Sequence, residues 1–79
     1  MPDRIDAVWM WISTDETGEG VLGAPLLGPG TLLPLIAADE ARLTSIRPWA
    51  QKIAEAKGIK VKLIKLTTRE EIEEIDHIN

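Results

Sequence analysis

Thr31–Gly58 reads TLLPLIAADEARLTSIRPWAQKIAEAKG: a short apolar stretch, a sharp entry, a long amphipathic run enclosing Pro48, and a glycine stop. Asp39 has the side chain to cap a helix, and Glu40 in the first turn suits the positive end of its dipole. Leu43, Ile46, Ala50, Ile53 and Ala54 recur at helical spacing and predict one buried stripe, with Trp49 at its edge. Lys52 and Glu55 fall on the opposite, wet side. Pro48 lacks an N–H and crowds the carbonyl of Thr44, which predicts a kinked helix or two shorter ones. Lys57 and Gly58 supply the stop.

Working outward, Arg4–Ser13 (RIDAVWMWIS) is β-branched and aromatic, the composition of a strand. Ile5, Ala7, Trp9 and Trp11 share one face while Val8, Met10 and Ile12 share the other. Both faces are apolar, so an interior strand covered on both sides is expected. Thr14–Gly20 (TDETGEG) is a polar hairpin turn, and Val21–Leu27 a weaker strand interrupted by Gly23 and Pro25. Gly28-Pro29-Gly30 turns the chain into a third short strand, Leu32–Ile36.

After the helix, Ile59–Leu66 (IKVKLIKL) alternates and then reverses parity at Ile64 and Leu66, which predicts a bulge or a strand end covered on both faces. Thr68-Arg69-Glu70-Glu71 fits a capping box for a short terminal helix carrying Ile72 and Ile75.

The expected fold is one α+β domain over residues 1–79, of element order β-β-β-α-β. A meander makes the third strand parallel to the first, and the helix then crosses over to set the fourth beside the first. This gives a mixed four-stranded sheet of order 3-2-1-4, a main kinked helix on one face and a short C-terminal helix. One helix covers one face only, so a second copy is the simplest cover for the other, and a homodimer or larger homo-oligomer is expected.

A chain of 79 residues supports a small core, of roughly 3–5 kcal/mol net without further help. There is no cysteine and only one histidine, His77, so neither a disulfide nor a Cys/His metal centre is expected. The net charge of −4 speaks against general affinity for nucleic acid or acidic membranes. The apolar run Ala7–Ile12 is too short for a membrane span, and Asp3 and Asp6 before it do not suit a signal peptide. A cytoplasmic protein without a cofactor is expected.

Gly18-Glu19-Gly20-Val21-Leu22-Gly23 matches G-x-G-x-x-G, but Gly23 and Pro25 forbid the helix that a phosphate loop needs, and three nearby acids repel phosphate. Those acids, Asp15, Glu16 and Glu19, lack the spacing of a calcium loop. As paired carboxylates they would need a cleft that a chain this short hardly provides. Ser13, Thr14, Thr67 and Thr68 lack an obvious base, because His77 sits on a charged terminal segment. No catalytic residue is assigned.

Lys60, Lys62, Lys65 and Arg69 form the one basic run. Alternating lysines more often guard a sheet edge against unwanted pairing; the less frequent role is to receive an anionic ligand or the acidic C-terminus of a neighbour. Trp9, Trp11 and Trp49 are core candidates, or an aromatic wall at a subunit boundary.

Trp9-x-Trp11, Asp15-x-x-Gly18-Glu19-Gly20, Pro34-Leu-Ile-Ala-Ala-Asp39, Arg47-Pro48 and the Gly58–Leu66 strand together resemble small uncharacterised proteins of bacteriophage and bacterial genomes. The resemblance implies a setting: small accessory proteins that block host factors, or oligomeric sponges that trap nucleotide-derived immune signals. The expectation is therefore a non-enzymatic binding protein in the (host) cytoplasm. Its interface or ligand site would draw on Trp9, Trp11, Arg47, Trp49, Lys60 and Lys62, taking a small anionic ligand or a host protein. The alternatives are an adaptor or inhibitor without a small ligand and, in another class, a small hydrolase using Asp15, Glu16 or Glu19.

Overall fold

Val8–Asp15 forms strand β1, and both of its edges are paired in a computed structural model that describes residues 4–76. Along one edge it pairs antiparallel with β6 (Val61–Leu66), from Val8 opposite Leu66 to Ser13 opposite Val61. Its other edge is shared by two short strands. β2 (Gly18–Val21) forms the hairpin with the second half of β1, and β5 (Ile36–Ala37) pairs antiparallel with Trp9 and Met10. Between these two, the chain bends off as β3 (Gly23–Ala24), which pairs with β4 (Leu33–Pro34) in a separate two-stranded sheet.

The bend is stitched by three backbone hydrogen bonds around Trp11. The Leu22 amide donates to the Trp11 carbonyl (2.9 Å), Leu35 to Leu22 (2.8 Å) and Trp11 to Leu35 (3.1 Å). These bonds satisfy the amides of Trp11, Leu22 and Leu35, all three of them buried residues.

The α+β class, the interior position of β1 and the single main helix are as expected; the strand order 3-2-1-4 and the parallel sense of the third strand are corrected. Gly23 and Pro25 end the second strand early, so it leaves β1 at Leu22 and frees the edge beside Trp9 and Met10. Ile36–Ala37 fills that edge antiparallel to β1. β6 is also antiparallel to β1, so β5 and β6 share a direction with β1 between them. The helix crosses from one to the other, a split β-α-β arrangement.

That helix, α1 (Glu40–Lys57), is continuous through Pro48, so the two-helix alternative is excluded. Asp39 Oδ1 accepts the amide of Arg42 at 2.7 Å. Gly58 takes the left-handed conformation (φ 62°) that favours glycine and donates its N–H to the Ala54 carbonyl. Ile46 and Ala50 are fully buried, and Leu43, Ile53 and Ala54 half-buried, as the stripe requires. Ile46 and Ala50 join Trp11, Leu22, Ala24, Leu35 and Ala37 in a core cluster, and Leu43 and Ile53 pack against it.

Two further expectations fail. The parity change in β6 is neither a bulge, because all six of its rungs with β1 are consecutive, nor a strand end covered on both faces, because Lys65 and Leu66 are exposed. It marks instead a shift of apolar side chains from one sheet face to the other. The short terminal helix does not form: residues 67–76 lack regular structure and are exposed throughout. Glu70, Glu71, Glu73, Glu74 and Asp76 repel one another at helical spacing. Ile72 and Ile75, 83% and 86% exposed, have nothing to pack against. No helix among the described residues is long and apolar enough to cross a membrane.

Candidate functional site

Directly opposed residues of an antiparallel ladder project to the same face, so the register sorts every side chain of the sheet. Trp9, Trp11, Ser13, Val61, Leu63, Lys65 and Ala37 lie on the helix face; Val8, Met10, Ile12, Val21, Ile36, Lys62, Ile64 and Leu66 lie on the other. Trp9 and Trp11 are thus on the covered face and Lys62 on the open one.

Each tryptophan carries a cation over its ring. The Arg47 guanidinium stands 5.3 Å from the Trp11 ring centroid, Lys65 Nζ 5.2 Å from Trp9, and Lys52 Nζ 5.1 Å from Trp49. Such contacts contribute about 0.5–1 kcal/mol each near the surface. Trp11 is a core residue, 9% exposed, with Arg47 as the lid on its ring. Its indole N–H is buried with no acceptor among the described residues, an omission that costs about 1–3 kcal/mol. Trp9 and Trp49 are half-buried, and Lys60 and Lys62 exposed. The six residues singled out in the sequence therefore do not converge on one site: Trp9, Trp11 and Arg47 serve the helix–sheet layer, Trp49 edges it, Lys60 precedes β6 and Lys62 lies within it.

The structure gathers two other constellations. The first is a groove of about 320 Å³ between α1 and the turn after β3. Trp49, Ile53, Leu32 and Pro25 make its apolar wall, and Lys52 and Lys57 stand on its helix side. The Trp49–Lys52 pair was legible as an i, i+3 neighbour on a helix. Lys57, read only as a helix stop, joins because it lies one turn beyond Ile53.

The second is the open sheet face. Met10, flanked by Ile36 and Ile64, forms an apolar row across three strands, with Val8 beside Leu66 below it and Ile12 beside Val21 above. Leu66 is 51% and Val21 46% exposed. At its lower end a cleft of about 530 Å³ is lined by Ile5, Ala7, Val8, Met10 and Leu66, with Thr68, Arg69 and Glu70 at the mouth. Arg69 is fixed there by Glu71 (2.8 Å) and by donating to the Ile5 carbonyl (3.5 Å).

The acids of the hairpin are arranged for a turn. Asp15 Oδ1 accepts both the amide (2.8 Å) and the hydroxyl (2.7 Å) of Thr17. The hydroxyl bond first, then the amide bond, holds its carboxyl below the ordinary value of 3.8. Glu16 and Glu19 point to solvent. Among the described residues no three acidic or histidine side chains are grouped as metal ligands would be. Gly18–Val21 is β2, so the G-x-G-x-x-G match is strand and not phosphate loop. Ser13, Thr14, Thr67 and Thr68 make no side-chain hydrogen bond to a base among the described residues. His77 lies outside the described residues.

No protein-family model, curated protein or solved structure matches the chain.

Proposed function

We propose that the chain is a non-enzymatic binding protein that works by occupancy as a homodimer or larger homo-oligomer. The observation that carries this reading is the open face of the sheet. Leu66 and Val21 are about half exposed there, and Val8, Met10, Ile36 and Ile64 half-buried, while Ile12 between Val21 and Lys62 is buried; no helix of the described residues is laid on this face. Small chains gain most by burying such a face against a copy of themselves.

The ligand reading is supported by the groove beside Trp49. Its volume falls in the range of small-molecule sites. An aromatic wall with two ammonium groups suits a small anionic ligand with a planar part, such as a nucleotide. In the bacteriophage setting that the resemblance implies, this protein sequesters a nucleotide-derived signal or occupies a host factor. Against a carboxylate-dependent hydrolase stands the engagement of Asp15 with Thr17. Alanine at Asp15, Glu16 and Glu19 together leaves a binding function intact and abolishes a hydrolytic one.

Native mass spectrometry of the protein taken from its own host tests the reading. A multiple of the 8.7 kDa chain mass with retained small-molecule mass is expected. Retained protein mass in place of the small molecule identifies the adaptor or inhibitor alternative. A bare single-chain mass contradicts the proposal.

A further inference from the structure

β6 is paired on one side only: its backbone meets β1, and its other edge is open among the described residues. Lys60, Lys62 and Lys65 line that edge without an ion-pair partner, the salt bridges of the described residues being Arg4–Asp6 and Arg69–Glu71. A few residues on, Glu70–Asp76 (EEIEEID) is exposed, extended beyond any helix or strand, and acidic except for Ile72 and Ile75. A radius of gyration of 15.1 Å, against roughly 12 Å for a compact chain of this length, is that of a body with projecting segments.

We propose that Glu70–Asp76 of one copy adds as an antiparallel strand to the open edge of β6 in a second copy. One register satisfies the charges and the apolar side chains together. With Lys60 opposite Asp76, Lys62 falls opposite Glu74 and Lys65 opposite Glu71, while Val61 meets Ile75 and Ile64 meets Ile72. Only Leu63 and Leu66 oppose acids, Glu73 and Glu70. Opposed residues share a face, so Ile72 extends the apolar row of Ile36, Met10 and Ile64 by one strand. Ile75 likewise stands beside Val61 on the helix face. The lysines that repel a basic or lysine-bearing edge select an acidic strand, so specificity comes from repulsion as much as attraction.

The partner is a second copy because the chain's own return is hindered. Folding Glu70–Asp76 back on its own β6 leaves Thr67-Thr68-Arg69 as a three-residue turn. Such turns place one residue in the left-handed region, where glycine is favoured. No residue of the described chain other than glycine adopts a positive φ.

This inference rests on the homo-oligomer reading, and a charge-swap experiment separates the two. The full chain is made as K60E/K62E and as E74K/D76K, with circular dichroism confirming that each is folded. Alone, each variant self-associates roughly ten-fold more weakly than wild type, because like charges oppose in both of its strand pairings. Mixed, they form a heterodimer visible by native mass spectrometry, since the acidic segment of one variant meets the lysine edge of the other and the lysine-bearing segment meets the acidic edge. Wild-type association weakens as salt rises from 0.05 to 0.5 M. Variants that self-associate as wild type does, or a mixture without heterodimer, overturn the strand exchange and leave the sheet-face oligomer standing. A monomeric wild type overturns both. A monomer whose Glu70–Asp76 amides are protected from exchange replaces the exchange with an intrachain hairpin.

Discussion

The two faces of β1 are built from the same kinds of residue and meet different fates. On one, Trp11 joins Ile46 and Ala50 of α1 in the core cluster and Trp9 packs against that cluster. On the other, Val8, Met10 and Ile12 lie in an apolar row flanked by Ile36, Ile64, Val21 and Leu66, with no helix over them. The difference is one of supply: the chain contains a single long helix, and the crossover from β5 to β6 commits it to one side. Parity along the strand and burial together therefore decide whether an apolar residue reports folding or association: Ile12, on the uncovered face, is itself buried in the single chain, and Leu63, on the helix face, is exposed.

The largest effect expected separates those roles. Ile46→Ala removes a fully buried side chain and costs about 2–5 kcal/mol, close to the whole net stability of a domain this size. Urea denaturation shows the midpoint collapse. Leu66→Asp, at a half-exposed position of the open face, changes the stability of the single chain by no more than about 0.5 kcal/mol and weakens self-association instead. Equal losses of stability at the two positions break the comparison.

The cover itself can be loosened from its ends. Asp39→Ala removes the side-chain acceptor of the Arg42 amide, and Gly58→Ala puts a Cβ at a left-handed position; each costs about 1 kcal/mol. Both lower the denaturation midpoint while leaving the open face in place. A smaller effect belongs to Trp11→Phe. It removes the orphaned indole N–H, worth about 1–3 kcal/mol, against a similar loss from packing. Calorimetry is expected to find a change within about 1 kcal/mol.

The smallest effect is in the hairpin that carries Val21 to the open face. The Asp15 carboxyl is held below its ordinary value by Thr17. Its contribution is therefore present above the unfolded-state value and lost as pH falls through the lower folded one. The Thr17 amide resonance is expected to move only below about pH 4; movement centred near neutral pH contradicts the assignment.

How much of this was readable beforehand follows the range of the interactions. The bounds of α1 were legible because Asp39, the apolar stripe and Gly58 act within a turn of one another. The interior place of β1 was legible from its two apolar faces. The sense of the third strand was not, because it depends on Leu22 and Leu35 meeting Trp11 across the chain. The terminal helix misled because Thr68 to Glu71 satisfies a local capping pattern while Ile72 and Ile75 lack any surface to bury against. The candidate site was legible as residue types, aromatic rings with cations, but not as groupings. Pairing Lys65 with Trp9 and separating Lys62 from Trp11 both require the register of β6 on β1.

Light scattering at micromolar concentration, on wild type beside Leu66→Asp, tests the open face most directly. The account predicts at least twice the 8.7 kDa chain mass for wild type and a shift toward single chains for the variant, with unchanged circular dichroism. A wild-type protein that scatters as a single 8.7 kDa chain contradicts it.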